Sequence, residues 1–392
     1  MSNLASSPPP RRPAHEHRTP PRPRPTAETP GPADPASPPA QQPRTGLLGL
    51  VVVALGFIVL GIAPGGPQTA LETVGPIATF ALPVLAASAL WWGGWPAHRL
   101  AQPLAGLVNI VLIVIAGIAL TVLAQAVVGH VDLAGVFRPA PAGTPIFTTW
   151  PWTMPLGVLV FVATLQITFV NERRPFHRIP GPLGGFLVIA TSWAIGVVAY
   201  LLVVNWDLLP APARAAIGLG NPAGPVSGLE LLGWLAIVTA FQGLFYIGLG
   251  GWPTHRVRRP FARIAAANVF VIGGGWLTWV VLAKGLGAST PVIAALGASV
   301  AAAAVLSALL FDGWPAAQIA ARARLALTAV QIGVLTAVLF LGLRALGTAL
   351  QTWDRDPVEL WVTVSCLNFI AATAIAHVAV FHRWPIARAR RP

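Results

Sequence analysis

The feature that most constrains this chain is a series of ten apolar runs, each close to the ~20 residues that a helix needs to cross a lipid bilayer. The runs span approximately 46–63, 77–95, 104–128, 154–171, 183–205, 229–251, 264–283, 291–311, 325–346 and 358–381. Lipid offers no hydrogen-bond partner, so each run must pair its own backbone groups, and the runs lack the alternating polarity of membrane β-strands. The sequence therefore predicts an all-α, polytopic membrane protein with about ten transmembrane helices.

The low charge density supports the same class. Only 9% of the residues are charged and the mean hydropathy is +0.70, so polar groups are too few to cover a soluble globule. On a soluble fold, the net charge of +13 would indicate nucleic-acid binding. Here we attribute it to orientation in a membrane and expect no nucleic-acid partner.

The N-terminal segment differs from the rest of the chain. Residues 1–45 are rich in proline and arginine, and they contain almost no large apolar side chain after Leu4. Such a segment buries too little surface to offset its ordering entropy. We predict a disordered cytoplasmic tail over 1–45, followed by a transmembrane domain over 46–392. A solvated tail is one interpretation, and a proline-rich ligand for a partner protein is the other.

A Trp-Pro motif followed by basic residues recurs where apolar runs end. Its four copies are Trp95-Pro96, Trp252-Pro253, Trp314-Pro315 and Trp384-Pro385, and a degenerate copy is Arg174-Pro175. Tryptophan favours the depth of the lipid headgroups, and proline ends the preceding helix. Successive copies lie 62 to 79 residues apart. This spacing predicts five parallel two-helix hairpin repeats, each closed by the same turn.

The basic residues are distributed asymmetrically. If the tail is cytoplasmic, 20 of the 25 lysines and arginines lie on the cytoplasmic side of the ten spans. The positive-inside rule then places both termini in the cytoplasm, in the inner (cytoplasmic) membrane of a cell.

Polar residues inside the spans are the usual indication of function, because each is costly unless paired. The candidates form a layer at similar depth: Asn109, Gln166, Gln242, Asn268, Gln331 and His377. In one interpretation they make interhelical hydrogen bonds of ~0.6 kcal/mol each, which fix helix packing. In the other they line a polar vestibule that admits a small solute.

Seven arginines near two of the turns are candidate contacts for anionic phospholipid headgroups. They are Arg173, Arg174, Arg178, Arg256, Arg258, Arg259 and Arg263. The positive-inside rule also accounts for such clusters without any ligand.

Motifs of catalysis and metal binding are missing from the sequence. It has no HExxH, P-loop, CxxC or GxSxG, and its single cysteine, Cys366, has no internal disulfide partner. We expect neither enzymatic activity nor a cofactor nor a metal site. Two hypotheses remain: a carrier or channel for a small solute, or a non-catalytic scaffold or accessory subunit that binds anionic lipid or a partner protein. The first predicts that the amides line one cavity, and the second that they pair across helix contacts.

Overall fold

The computed structural model describes residues 41–139 and 149–386, and most of the predicted tail at 1–45 lies outside that range. Ten long helices follow one another along the described chain. They are α1 Arg44–Gly61, α2 Pro67–Leu90, α3 Leu104–Val128, α4 Met154–Val170, α5 Gly181–Val203, α6 Gly228–Gly248, α7 Pro260–Gly285, α8 Thr290–Leu310, α9 Ala321–Leu350 and α10 Val358–Val380. Between α5 and α6 lie a short helix, Ala211–Ile217, and two parallel strands, Val204–Asn205 and Val226–Ser227.

The helices have the length and composition of membrane spans. Among the described residues, nine are long and apolar enough to cross a bilayer, and α4 is a shorter apolar helix. The prediction of a multi-pass, all-helical membrane protein is therefore confirmed at this level. The fourth of the ten predicted spans, α4, is shorter than the other nine.

The helix ends differ from the apolar runs most at α2. We predicted the second span from residue 77, whereas the helix begins at Pro67 and includes Glu72. Glu72 is 2% exposed, and its carboxylate lies 2.9 Å from the Arg355 guanidinium. The Arg355 charge and a hydrogen bond from Gln68 stabilise this carboxylate within the helix. Hydropathy takes no account of such partners, so it left Glu72 outside the predicted span.

The even-numbered helices form an inner ring. α2 contacts α4, α4 contacts α6, α6 contacts α8, α8 contacts α10, and α10 returns to α2. At this closing contact, the Asn368 side chain of α10 donates to the carbonyl of Gly75 at 2.9 Å and to the Thr79 hydroxyl at 2.6 Å. Small residues allow close approach elsewhere, as where Gly297 of α8 lies against the backbone of Ala236 in α6.

The odd-numbered helices surround this ring. In the apolar window of each span, 56–72% of the residues are buried in α2, α6, α8 and α10, but only 17–28% in α1, α3, α5, α7 and α9. α1 and α3 begin with the same Gln-Pro-x-x-Gly sequence. Gln42 donates to the Leu310 carbonyl at 3.2 Å, and Gln102 donates to the Val380 carbonyl at 2.9 Å. The two helices are therefore attached in the same way to the ends of α8 and α10.

The five turns that follow the even helices share one backbone geometry. In each, the peptide bond before the motif proline is cis. The residue before that proline donates its amide to the carbonyl three residues earlier, at 2.9–3.2 Å. The two residues before that donor have positive φ: Gly93 and Gly94, Glu172 and Arg173, Gly250 and Gly251, Asp312 and Gly313, and His382 and Arg383. The degenerate Arg174-Pro175 copy thus has the same conformation as the four Trp-Pro copies.

Candidate functional site

The five turns lie together at one end of the bundle, here called the turn end. Arg173 donates to the Leu90 carbonyl of the first turn at 2.8 Å, and Arg383 donates to the Leu309 carbonyl near the fourth at 2.8 Å. The opposite end has its own ion pairs, Arg355 with Glu72 and Arg344 with Glu359, both at 2.9 Å.

At three of the turns an aromatic ring packs on a glycine of an odd-numbered helix. The ring belongs to the residue four positions before the turn proline, and the glycine lies in the first turn of the helix. The pairs are Trp92 with Gly185, Phe311 with Gly46, and Phe381 with Gly106. A Cβ atom at any of these glycines would overlap the ring. These contacts are tightly packed, and the Trp92 indole also donates to the Pro182 carbonyl at 3.1 Å.

The second turn makes a different contact with α7. Asn171 occupies the position of the aromatic residue, and Arg263 occupies the position of the glycine, three residues after a proline that starts the helix. Glu172 follows Asn171, and its carboxylate lies 2.5 Å from the Arg263 guanidinium. A charged and polar contact therefore stands where three of the other four turns have an aromatic contact, the third turn having Leu249 at that position.

A chain of amide hydrogen bonds extends inward from this contact. The Gln242 side chain in α6 donates to Gln166 in α4 at 2.7 Å, and Gln166 donates to Asn268 in α7 at 2.9 Å. Asn268 then donates to Asn171 at 2.7 Å. We call this set the polar junction; it consists of Gln166, Asn171, Glu172, Gln242, Arg263 and Asn268. It joins α4, α6 and α7 at the turn end.

A cleft of about 360 Å³ adjoins the polar junction. Its lining combines the Glu172–Arg263 pair with the third turn, where the hydroxyls of Tyr246 and Thr254 lie 2.9 Å apart. His255 also lines it and is exposed. The cleft thus offers a guanidinium, a carboxylate, hydroxyls and an imidazole on one side of the bundle.

One atom of the junction has no partner. Gln242 is fully buried, and its side-chain carbonyl oxygen accepts no hydrogen bond within the described residues. An unpaired buried acceptor costs about 1–3 kcal/mol. Seven other buried side-chain atoms in the described residues also lack a partner, Gln331 Oε1 among them, so this unpaired oxygen is not specific to the junction.

The structure divides the predicted polar layer into three parts. Gln166, Gln242 and Asn268 belong to the polar junction. Asn109 instead donates to the Gly94 carbonyl at 3.2 Å, and Gln331 donates to the Trp314 carbonyl at 2.9 Å. These two stabilise their own turns. The sixth residue, His377, is 3% exposed and lies on the α1 side of α10, near Gly49, away from the junction.

The seven predicted lipid-binding arginines also differ in their environment. Burial lowers the pKa of the Arg173 guanidinium, which lies 5.2 Å from the Trp91 ring. Arg174 lies 5.4 Å from the Phe261 ring, and Arg263 pairs with Glu172. The remaining four are exposed at the turn end: Arg178, Arg256, Arg258 and Arg259. Arg173 is therefore a packing residue, and the exposed four remain free to contact headgroups.

The motif tryptophans lie at the surface of the turn end. Trp95, Trp252 and Trp314 are half-buried, and Trp384 is 42% exposed. Sequence reasoning missed Asn171 and Glu172, because it treated the second turn as a weaker copy of the motif. The signal was present at one position: this copy has Asn171 where the other four have an aromatic residue or leucine.

Chemically, the polar junction is suited to binding through hydrogen bonds and charge. No group of three or more His, Cys, Asp or Glu residues that could hold a metal ion occurs in the described part of the chain. No protein-family model, curated protein or solved structure matches the chain, so the geometry above is the basis of any functional assignment.

Proposed function

We propose that the protein is a carrier for a small solute, which it binds in the cleft beside the polar junction. The observation that carries the proposal is the difference among the turn contacts: where three turns pack aromatic rings on glycine, the contact with α7 has Asn171, Glu172 and Arg263. A departure from the packing rule of a repeated element is expected at functional sites. The cleft volume of about 360 Å³ lies in the range of small-molecule sites.

The outer position of α7 favours a role in movement. Its apolar window is 17% buried, the same share as in the outer helix α9. Gly274 and Gly275 lie against Phe241 and Val238 of α6, whereas Gly273 faces open space. An outer helix has fewer contacts to break than an inner one when it separates from its neighbours. In the proposal, the solute reaches the membrane interior when α7 separates from α4 and α6.

The proposal includes an orientation and an assembly. In the proposal, the turn end faces the cytoplasm from the inner (cytoplasmic) membrane, as the charge bias favours, so the cleft opens to the cytosol. The shared turn geometry supports five parallel two-helix units that arose by duplication. We assign no catalytic step and no cofactor, because the junction binds solute through its existing charges and amides.

The experiment is uptake into proteoliposomes that contain the purified full-length chain. Radiolabelled glycerol, lactate and choline serve as neutral, anionic and cationic probes. We expect uptake of at least one probe above empty liposomes, reduced at least tenfold by Asn268→Ala and by Gln242→Ala. Asn109→Ala is the matched control, because Asn109 bonds only to its own turn, and it retains uptake. Equal uptake with and without protein for all three probes would overturn the carrier.

A second function, a membrane scaffold, is favoured by a separate observation. Exposed Arg256, Arg258 and Arg259 precede Phe261, whose side chain is 78% exposed, so this segment can contact anionic headgroups and the lipid below them. The predicted N-terminal tail would supply a second contact, to a partner protein. In that case, replacing the three arginines by glutamine weakens retention of anionic lipid through purification, while uptake of every probe stays at the level of empty liposomes.

A further inference from the structure

We infer that the cleft beside the polar junction selects a small organic anion, which replaces Glu172 as the partner of Arg263. The inference rests on the proposed solute site and adds the chemical class of the solute. Three features of the junction carry it: the exposure of the Glu172–Arg263 pair, the charge around the cleft, and the fixed hydrogen-bonding groups beside it.

The Glu172–Arg263 pair is exposed enough to open. The side chains of Arg263 and Glu172 are 29% and 35% exposed. Glu72, in the Arg355 pair at the other end, has a side chain only 3% exposed. Opening a buried pair leaves an uncompensated charge, whereas an exposed pair contributes about 0–1 kcal/mol. Glu172 can therefore turn into solvent at small cost and leave Arg263 to a ligand.

The charge around the cleft favours an anion over a cation. Exposed Arg256, Arg258 and Arg259 lie in the segment between His255, which lines the cleft, and α7, which begins at Pro260. Arg174 lies on the other side, against Phe261. Clustered charges of one sign raise the local concentration of the opposite ion and repel like ions. Glu172 is the carboxylate that lines the cleft, so its displacement leaves the lining positive.

The neighbouring groups suit a carboxylate that also carries a hydroxyl. A guanidinium binds a carboxylate through two parallel hydrogen bonds, with a geometry that a lysine does not reproduce. The hydroxyls of Tyr246 and Thr254, 2.9 Å apart, are held by each other on the same lining. The Thr254 hydroxyl donates to the Gly251 carbonyl at 3.1 Å, so Tyr246 donates to Thr254, and the two oxygens can accept a hydrogen bond from a hydroxyl next to the carboxylate. Lactate has this arrangement and is small enough for the cleft.

The experiment measures binding to the purified full-length chain in nanodiscs by isothermal titration calorimetry, with lactate, inorganic phosphate, glycerol and choline. We expect lactate to bind and choline not to bind. Glu172→Gln removes the internal competitor and tightens lactate binding, by up to about fivefold for an exposed pair. Arg263→Gln abolishes binding, and Arg263→Lys weakens it.

The matched control is Asp312→Asn. Asp312 pairs with Arg383 at 2.5 Å and occupies the same position in the fourth turn as Glu172 does in the second, but it does not line the cleft. Its loss leaves lactate affinity unchanged. Nanodiscs of neutral lipid and of anionic phosphatidylglycerol distinguish the source of the anion. If lipid headgroups occupy the cleft, lactate binds only in neutral lipid; a soluble-anion site binds lactate in both.

The outcomes separate this inference from the carrier proposal. If glycerol binds and neither lactate nor phosphate binds, the inference of an anion site is wrong, but the proposal of a carrier for a neutral solute is not contradicted. Equal effects of Glu172→Gln and Asp312→Asn overturn the exchange at Arg263. Absence of binding by all four probes, together with absence of uptake, overturns both proposals.

Discussion

Replacing Gln242 by leucine separates a structural role of the polar junction from a binding role. Gln242 donates to Gln166 at 2.7 Å and to the Val162 carbonyl at 3.1 Å, and its own carbonyl oxygen has no partner within the described residues. Loss of two interhelical hydrogen bonds costs about 1.2 kcal/mol in total. The variant removes one unpaired acceptor, on Gln242, and creates another, on Gln166, so these two effects of about 1–3 kcal/mol each nearly cancel.

The expected net loss for Gln242→Leu is thus about 1 kcal/mol, which lowers Tm by no more than about 4 °C. We expect lactate binding and uptake to fall at least tenfold at the same time. Scanning fluorimetry measures the first quantity, and calorimetry with proteoliposome uptake measures the second.

Gln125→Leu is the control for this variant. Gln125 in α3 is fully buried and makes three hydrogen bonds, to Asp132 and Thr149, far from the junction. Its replacement should destabilise the chain at least as much as Gln242→Leu while uptake per folded molecule stays normal. A large loss of Tm with normal uptake in Gln242→Leu, or an equal loss of uptake in Gln125→Leu, would refute the reasoning.

Three further predictions test other contacts. Gly106→Leu places a side chain into the Phe381 ring and should lower stability by about 2 kcal/mol or more, and Phe381→Ala in the same chain should restore part of the loss, measured by thermal melting. Asn109→Leu removes one hydrogen bond, to Gly94, and should cost about 0.6 kcal/mol without changing uptake; a tenfold loss of uptake would place Asn109 in the solute path. Burial raises the pKa of Asp356, although a hydrogen bond from Trp150 opposes the shift, so the folded state binds a proton more readily than the unfolded state. The contribution of this carboxyl to stability is therefore largest below its unfolded pKa and is lost as pH rises through its folded pKa. Asp356→Asn should remove the fall in Tm with rising pH that this carboxyl causes. A variant whose Tm falls with pH as steeply as that of the unmodified chain would contradict the assignment.

Much of the fold was predictable because it depends on local physics. The apolar runs predicted where helices lie, since a helix is the only form that pairs its own backbone in lipid. The Trp-Pro motif predicted the turns, including the degenerate copy at Pro175, which has the same backbone geometry as the rest. Proline fixes its own φ and restricts the residue before it, so the sequence predicted where each helix ends but not the positive φ values of the two residues before the motif.

What escaped prediction depends on contacts between residues distant in the chain. The ring closes through Asn368 and Gly75, nearly 300 residues apart, and hydropathy contains no information about such pairs. The predicted start of α2 was wrong because a glutamate such as Glu72 is typical of a loop, and the sequence does not show that Arg355 pairs with it. The predicted depth of the polar residues in the membrane also does not determine their partners. Gln242 and Asn268 are linked through Gln166, whereas Asn109 and Gln331 bond to their own turns.

The most direct test of the site uses single cysteines at two matched positions, His255 and His98, in a chain carrying Cys366→Ala. Each histidine is exposed and lies three residues after a motif tryptophan, but only His255 lines the cleft. A membrane-impermeant thiol reagent is applied to sealed, oriented vesicles with and without lactate. We predict that the His255→Cys and His98→Cys variants react from the same side, and that lactate slows the reaction of the first alone. Reaction from opposite sides, or equal rates with and without lactate in both variants, would contradict the account.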